Sequence, residues 1–264
     1  MNHYTSGEGI SDMNGRQGRI LKLLTENGEV FVQDLAKQMS VTTMTIRRDL
    51  DALEREGRLI RTHGGAVLSN AGIVEFAFKR KAEKHAAEKQ AVAREVGRLV
   101  TPGMTVTLDT GTTVLEVAKA IAGVRDLTVL TSSLVIASAL YARDNIELVL
   151  LGGRARKGSP DLTGWLTEEN LKHFRVDLAV LGADGADRDG VFTSDESVGR
   201  VSQAVIACAG MVVLAADHTK FNATSFLRYA SWKDIDCVVT DEALSPTVKR
   251  WLQRAARKVI LAKV

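Results

Sequence analysis

Between Val41 and Gly65 the chain reads VTTMTIRRDLDALEREGRLIRTHGG, and few folds accommodate that run. Ile46, Leu50 and Leu53 fall at i, i+4 and i+7, one apolar stripe of a helix that has to face a core. Thr42 can cap the start of that helix and Gly57 can end it. The opposite face is left to Thr43, Met44, Arg47 and Arg48, with Thr45 beside them. Short polar or flexible groups near a helix N-terminus, with guanidinium groups one turn on, can read base edges and phosphates. Paired arginines are also common on ordinary solvated helices, so the flanking chain has to decide between the two readings.

Upstream, RQGRILKLLTEN from Arg16 to Asn27 carries a second amphipathic stripe in Ile20, Leu23 and Leu24. Glu29 to Val32 reads as extended, Gln33 to Met39 as a short helix with Leu35, Ala36 and Met39 inward, and Ser40-Val41 as a tight turn. Three helices, the last two joined by a short turn, make the helix-turn-helix plan. After Gly57 the chain alternates apolar and basic residues around Gly64-Gly65, a two-stranded wing on which Arg58, Arg61 and His63 are available to phosphate or the minor groove. No Cys or second His lies near His63, which argues against a metal there.

The run TIRRDLDALEREGRLIRTHGGA, Thr45 to Ala66, resembles the signature of the DeoR-type bacterial transcription regulators. The resemblance extends from about Arg16 to the end of the chain. It implies an N-terminal winged helix-turn-helix and a C-terminal domain that senses a sugar phosphate. Thr42 stands where that family usually has Ser, and either hydroxyl can cap.

The 264 residues are enough for a small and a medium domain, and 45% hydrophobic with 25% charged residues suits a globular chain. A net charge of +3 is too small to identify a nucleic-acid binder by itself, so the placement of charge carries the argument. Cys208 and Cys237 sit in apolar surroundings and read as reduced core residues of a cytoplasmic protein. Residues 1–14 are polar and Gly-rich, expected to be a disordered leader and not a signal peptide or anchor. No apolar run long enough for a membrane span occurs. The expected domains are a winged helix-turn-helix over 15–68, a linker over 69–83 and an effector domain over 84–264 that opens with a helix from about Lys84 to Val100. The basic cluster Lys79, Arg80, Lys81 and Lys84 reads as part of a solvated linker.

From Thr101 onward short apolar runs alternate with helical ones. Strands are expected at Met104–Leu108, Leu127–Leu130, Ile146–Leu151, Leu178–Leu181, Met211–Leu214, Cys237–Val239 and Lys258–Leu261, with helices such as Val114–Ile121, Leu134–Tyr141, Val198–Ala209 and Pro246–Ala255. The pattern indicates an α/β domain with a mostly parallel sheet, where ligands bind beyond the carboxyl ends of strands. Those ends are rich in small, hydroxyl and charged groups: Asp109-Thr110-Gly111-Thr112-Thr113, then Thr131-Ser132-Ser133, Gly152-Gly153, Asp184-Gly185, and Asp217 with Lys220 just beyond. The first of these can be a phosphate cradle at a helix N-terminus or simply a cap and turn. Five such ends together favour convergence on one small anion.

DTGTT, TSS, the Gly-Gly pair, GADG and ADHTKF are also similar to the motifs of the DeoR-type effector domain, which is related to ribose-5-phosphate isomerase. The resemblance implies a phosphorylated sugar, its phosphate on Thr110 to Thr113 and Lys220, its hydroxyls on Asp109 and Asp184. Lys89, at the start of the domain's first helix, can face the pocket, but is expected at the surface. An isomerase is the rival reading. Those enzymes carry an acidic residue where Gly185 stands and then a Lys-Gly-Gly-Gly loop, whereas this chain runs Asp187 to Ser194 without lysine or a glycine run. Asp195 and Glu196 read as capping or solvated acids. Ser197 to Gln203 lacks the acidic and lysine residues usual in the regulators, which leaves the sugar's identity open. The expectation is therefore no enzyme and no catalytic residues. No GxGxxG follows the first strand and the five histidines are scattered, so no cofactor and no metal are expected either. The partners expected are double-stranded operator DNA, a phosphorylated sugar effector and further copies of the chain, as a dimer or tetramer, because one recognition helix gives too few base contacts.

Overall fold

A computed structural model describes residues 15–69 and 78–264, so the expected leader and residues 70–77 of the expected linker lie outside the described residues. The chain divides after Lys79 into two units. In the first, Ile20, Leu24, Leu35, Ile46, Leu50 and Leu53 are fully buried and meet in one core. They come from α1 (Gly15–Asn27), α2 (Val32–Gln38) and α3 (Thr43–Arg55). Burying the stripe on each helix supplies most of the stability that such short helices lack alone. Thr42 caps α3, its hydroxyl accepting the Thr45 N–H at 3.2 Å, and Gly57 follows the helix at φ +71°. The wing has three strands, not two. β1 (Glu29–Phe31) and β2 (Leu59–Arg61) both pair antiparallel with β3 (Gly65–Leu68). Gly65 permits this, because a Cβ there would lie 1.8 Å from the Val30 carbonyl oxygen.

In the second unit seven parallel strands form one sheet. They are β4 (Thr105–Leu108), β5 (Leu127–Thr131), β6 (Ile146–Leu150), β9 (Val176–Leu181), β12 (Ala209–Ala215), β14 (Cys237–Asp241) and β15 (Val259–Ala262). Their order is β15-β14-β12-β9-β4-β5-β6, which sets the ends of β12, β9, β4, β5 and β6 in a row. Cys208 and Cys237 are both free and buried. Three features escape periodicity. β7 (Arg154–Ala155) and β8 (Leu162–Thr163) pair as a two-residue hairpin, too short to show alternation. The helix Trp165–Lys172 exposes Trp165 and Leu166 and buries Thr167 and Leu171, so its apolar residues do not mark its inner face. Asp187 to Ser194, expected as a loop, lie largely in a hairpin of β10 (Gly185–Asp187) and β11 (Gly190–Thr193), to which β13 (Leu227–Ala230) adds.

Part of the expected linker over 69–83 lies within the described residues. Residues 78–83 are helical, and Lys81 is ion-paired with Asp184. The helix opening the unit runs Ala86–Gly97, shorter than expected, because His85 before it is left-handed at φ 54°.

Candidate nucleic-acid interface and effector site

On α3 the inward stripe turns Thr43, Met44, Arg47 and Arg48 outward, all four exposed. The Thr42 and Thr45 hydroxyls lie 3.0 Å apart and bond each other, so they shape the helix N-terminus. Asp49, one residue past the arginines, is buried and takes two hydrogen bonds from Arg16 at 2.5 and 3.0 Å, clamping α1 to α3. Arg16 had no periodic signal to mark it.

The wing presents less than expected. The Arg61 guanidinium donates to Asp51 at 2.5 Å and to the Arg47 carbonyl at 3.3 Å, and the Arg61 N–H donates to Glu54. Arg58 pairs with Glu56 at 3.2 Å. Both cations are therefore spent on carboxylates from the end of α3 and brace the wing against it. His63, at the wing tip, remains exposed.

At the strand ends of the second unit the expected residues separate into two groups. One group holds the framework together. The Thr131 hydroxyl donates to the Leu108 carbonyl at 2.8 Å, and Ser133 caps the helix Leu134–Leu140. Ser132 is buried and its carbonyl accepts the Leu162 N–H. Gly153 sits at φ +141°, and a Cβ on it would lie 2.1 Å from the Thr167 hydroxyl, which itself donates to the Gly152 carbonyl. Gly185 lies where a Cβ would come within 2.4 Å of the Ala223 carbonyl oxygen. Thr110 is occupied twice, its N–H on Asp109 at 2.8 Å and its hydroxyl on Asp161 at 3.0 Å. Close packing explains each of these residues without a ligand.

Asp109 is part of the same framework. It lies buried, accepting the Thr110 N–H and the Ser202 hydroxyl at 3.0 Å. Burial raises its carboxyl to about 6, and those two donors only partly oppose the rise. Ser202 belongs to the stretch where this chain departs from the regulators.

The second group gathers a helix N-terminus, where Thr112 and Thr113 are buried, and the half-buried Asp184 and Lys220. Gly111, at φ +119°, leads into the helix Thr112–Ile121 and offers no side-chain cap, so the N–H groups of Thr112, Thr113 and Val114 have no partner within the helix. Such a helix end attracts an anion. Along the row, Asp184 follows β9 and Lys220 follows β12. Three lysines sense one another here. Lys89, expected at the surface, is buried, and its ammonium donates to the carbonyls of Lys81 and Lys84. Its pKa is lowered by burial first; Asp217 opposes this and Lys220 and Lys81 add to it. Burial lowers Lys220 as well, with Lys81 the next cause. Burial would raise Asp184, yet the Lys81 ammonium and the Ser194 N–H and hydroxyl hold its carboxyl well below the usual carboxylate range. A helix N-terminus without a side-chain cap and an ammonium such as that of Lys220 are each groups that can hold a phosphate anion.

Arg156, which the sequence did not single out, completes the surroundings. It clamps the nearly buried Asp161 with bonds of 2.8 and 2.7 Å and reaches Asp195 at 3.5 Å. Asp195 in turn caps the helix Glu196–Cys208, the capping role read for it. A cavity of about 630 Å³ lined by Arg156, Arg154, Lys157, Trp165 and Arg200 contains none of the expected effector residues. Among the described residues no three His, Cys, Asp or Glu side chains gather as metal ligands would, and no helix is long and apolar enough to cross a membrane.

Residues 16–71 match the DeoR-like helix-turn-helix domain and residues 84–242 match the DeoR C terminal sensor domain. The chain is similar to the glycerol-3-phosphate regulon repressor of Escherichia coli (strain K12), 32% identical across 86% of this chain and 90% of that one. It is 32% identical to the transcriptional repressor AccR of Agrobacterium fabrum, across 94% of this chain and 96% of that one. The HTH-type transcriptional repressor GlcR of Bacillus subtilis (strain 168) is 34% identical across 84% of this chain and 86% of its own length. A D-ribose-5-phosphate isomerase solved with phospho-erythronic acid overlays 50% of this chain and 52% of its own at 18% identity and a TM-score of 0.38, too partial an overlap to bear on chemistry. The relatives are named as repressors and not as enzymes, and both halves of the chain match one family's two domains in order. The chain belongs to the DeoR family of DNA-binding transcription regulators.

Proposed function

We propose that this regulator represses genes for handling a sugar or polyol by seating α3 of two or more copies on half-sites of double-stranded operator DNA, in the cytoplasm, and that a phosphorylated sugar relieves the repression. The observation that carries the DNA half is the outward set Thr43, Met44, Arg47 and Arg48 on a helix whose inner stripe is wholly buried. With the wing arginines committed to acids, base readout falls to α3, and His63 touches the backbone or minor groove. One such helix reads too few bases for operator-level specificity, which is the reason for a dimer or tetramer.

For the effector, support comes from the N–H groups of Thr112 to Val114, which have no side-chain cap, and from Lys220, which follows β12 on the far side of β9 from β4. The phosphate sits on the N–H groups and Lys220, and Asp184 accepts a sugar hydroxyl. Thr110, Gly111, Gly152, Gly153, Gly185, Thr131 and Ser133 shape that site without contacting the sugar. That one relative is named for a glycerol-3-phosphate regulon agrees with an effector of this chemistry. The effector must bind the weak-binding arrangement of the oligomer more tightly, since differential affinity is the only thermodynamic lever it has.

The test measures affinity for the chain's own promoter region by fluorescence anisotropy, with and without glycerol 3-phosphate, ribose 5-phosphate and hexose 6-phosphates. The expected result is tight binding weakened by at least one of them. Affinity unchanged across the whole panel would reduce the second unit to an assembly scaffold.

A further inference from the structure

Lys81 lies just after the residues that join the two units in sequence, yet its side chain ends at a strand terminus of the effector sheet, 103 residues away in the chain. Its ammonium donates to Asp184 Oδ1 at 3.0 Å. The other carboxylate oxygen, Oδ2, is already taken by the Ser194 N–H at 2.9 Å, the Ser194 hydroxyl at 2.8 Å and the Thr193 hydroxyl at 3.4 Å. A sugar hydroxyl that comes to Asp184 therefore finds only Oδ1 open to it, and Lys81 is its competitor.

The helical segment 78–83 that carries Lys81 is fastened at two places. From beneath, the buried Lys89 ammonium holds the carbonyls of Lys81 and, at 2.6 Å, of Lys84. At its tip, the Lys81 side chain finds its acceptor among the described residues in Asp184. Lys89 and Lys220 both feel Lys81 as a like charge. Once a sugar hydroxyl occupies Asp184 Oδ1, Lys81 loses the hydrogen bond that holds its side chain there.

We propose that Lys81 is the residue through which a bound sugar phosphate acts on the DNA-binding unit: a sugar hydroxyl takes Asp184 Oδ1, displaces Lys81, and loosens the helical segment 78–83. This rests on the reading of Asp184 as the hydroxyl acceptor of the effector. The two arrangements, Lys81 on Asp184 and Lys81 released, supply the bistable element that coupling between separate sites requires.

The experiment uses the full chain, wild type and the variants Lys81→Ala and Lys81→Arg, with three readouts: calorimetric binding, operator anisotropy, and hydrogen exchange of the peptide covering 78–85. The probes are glycerol 3-phosphate, ribose 5-phosphate, glucose 6-phosphate and inorganic phosphate. In wild type, a sugar phosphate that binds is expected to speed exchange in 78–85. Inorganic phosphate, with no sugar hydroxyls to offer Asp184, binds without doing so. Lys81→Ala is expected to exchange fast from the start and to bind the sugar phosphate as tightly as wild type or more so, while its operator affinity responds by less than about twofold. Lys81→Arg restores the response. Loss of sugar-phosphate binding in Lys81→Ala would make Lys81 a plain contact to the ligand and overturn the proposal. So would a full operator response in that variant, or slower exchange on binding in wild type. Binding with no change in 78–85 sinks the latch alone, whereas absence of binding by every probe sinks the effector site as well.

Discussion

The two units expose opposite halves of their chemistry. In the DNA-binding unit the buried residues are almost all aliphatic, and the groups proposed to act, Thr43, Met44, Arg47 and Arg48, are exposed. In the sensor unit the residues at the strand ends are polar, largely buried and bonded to one another, as in the Thr110, Asp161 and Arg156 chain. A surface that meets a large rigid polyanion needs only exposure and spacing. A site for a small ligand needs each donor fixed in advance, and buried polar groups have to be satisfied by neighbours even before any ligand arrives. The consequence is that a residue change in the first unit acts on either stability or DNA contact, while one in the second acts on both stability and binding.

The most severe test of that contrast is Leu50→Ala, which truncates a fully buried side chain of α3. It should destabilise the first unit by about 2–5 kcal/mol, read by hydrogen exchange in 15–69, and leave the sheet of the second unit unchanged. If protection falls equally in both, the units are not independent in stability. Next, Arg47→Ala or Arg48→Ala should weaken operator affinity by about 1–3 kcal/mol per half-site with no loss of thermal stability, and an equal loss on random sequence would assign that arginine to phosphate. Gly111→Ala probes the other unit. The added methyl meets nothing within 4 Å, so its cost of about 1–3 kcal/mol comes from φ +119° alone. Stability and sugar-phosphate binding should fall together, and loss of one without the other would break the contrast.

Asp109 gives a pH test of the same idea. Its folded value, about 6, lies above the unfolded value near 3.9, so the stability it contributes is present below about pH 4 and is lost as pH rises through 6. Asp109→Asn removes that dependence. Relative to the variant, wild type should lose about 2 kcal/mol of unfolding free energy between pH 4 and pH 7.5, measured by denaturant titration. A parallel pair of curves would mean Asp109 titrates normally. The smallest effect is expected for Arg98→Ala, which breaks the exposed pair with Glu95 and should change stability by less than about 0.5 kcal/mol.

The register of α3 was readable from Ile46, Leu50 and Leu53, and the outward set is then fixed by a 3.6-residue period. Seven strand positions in the sensor were readable in the same way, as apolar runs separated by helices. The strand-end motifs were readable as a set but not residue by residue. Thr131 and Ser133 look like ligand groups and are spent on the Leu108 carbonyl and a helix cap, while Lys89 looks like a surface residue and is buried. Arg58 and Arg61 alternate correctly for a wing yet turn back to Glu56 and Asp51.

By itself the sequence determined the class of protein, the two domains in order, and which helix could face DNA. Those depend on local period, capping and spacing, which need no partner from elsewhere in the chain. Only the tertiary structure decided which polar groups are free to act. Whether Asp184 answers Lys81, or Asp49 answers Arg16, depends on residues far apart in the chain meeting at about 3 Å, and at that range each charge is defined by its neighbour.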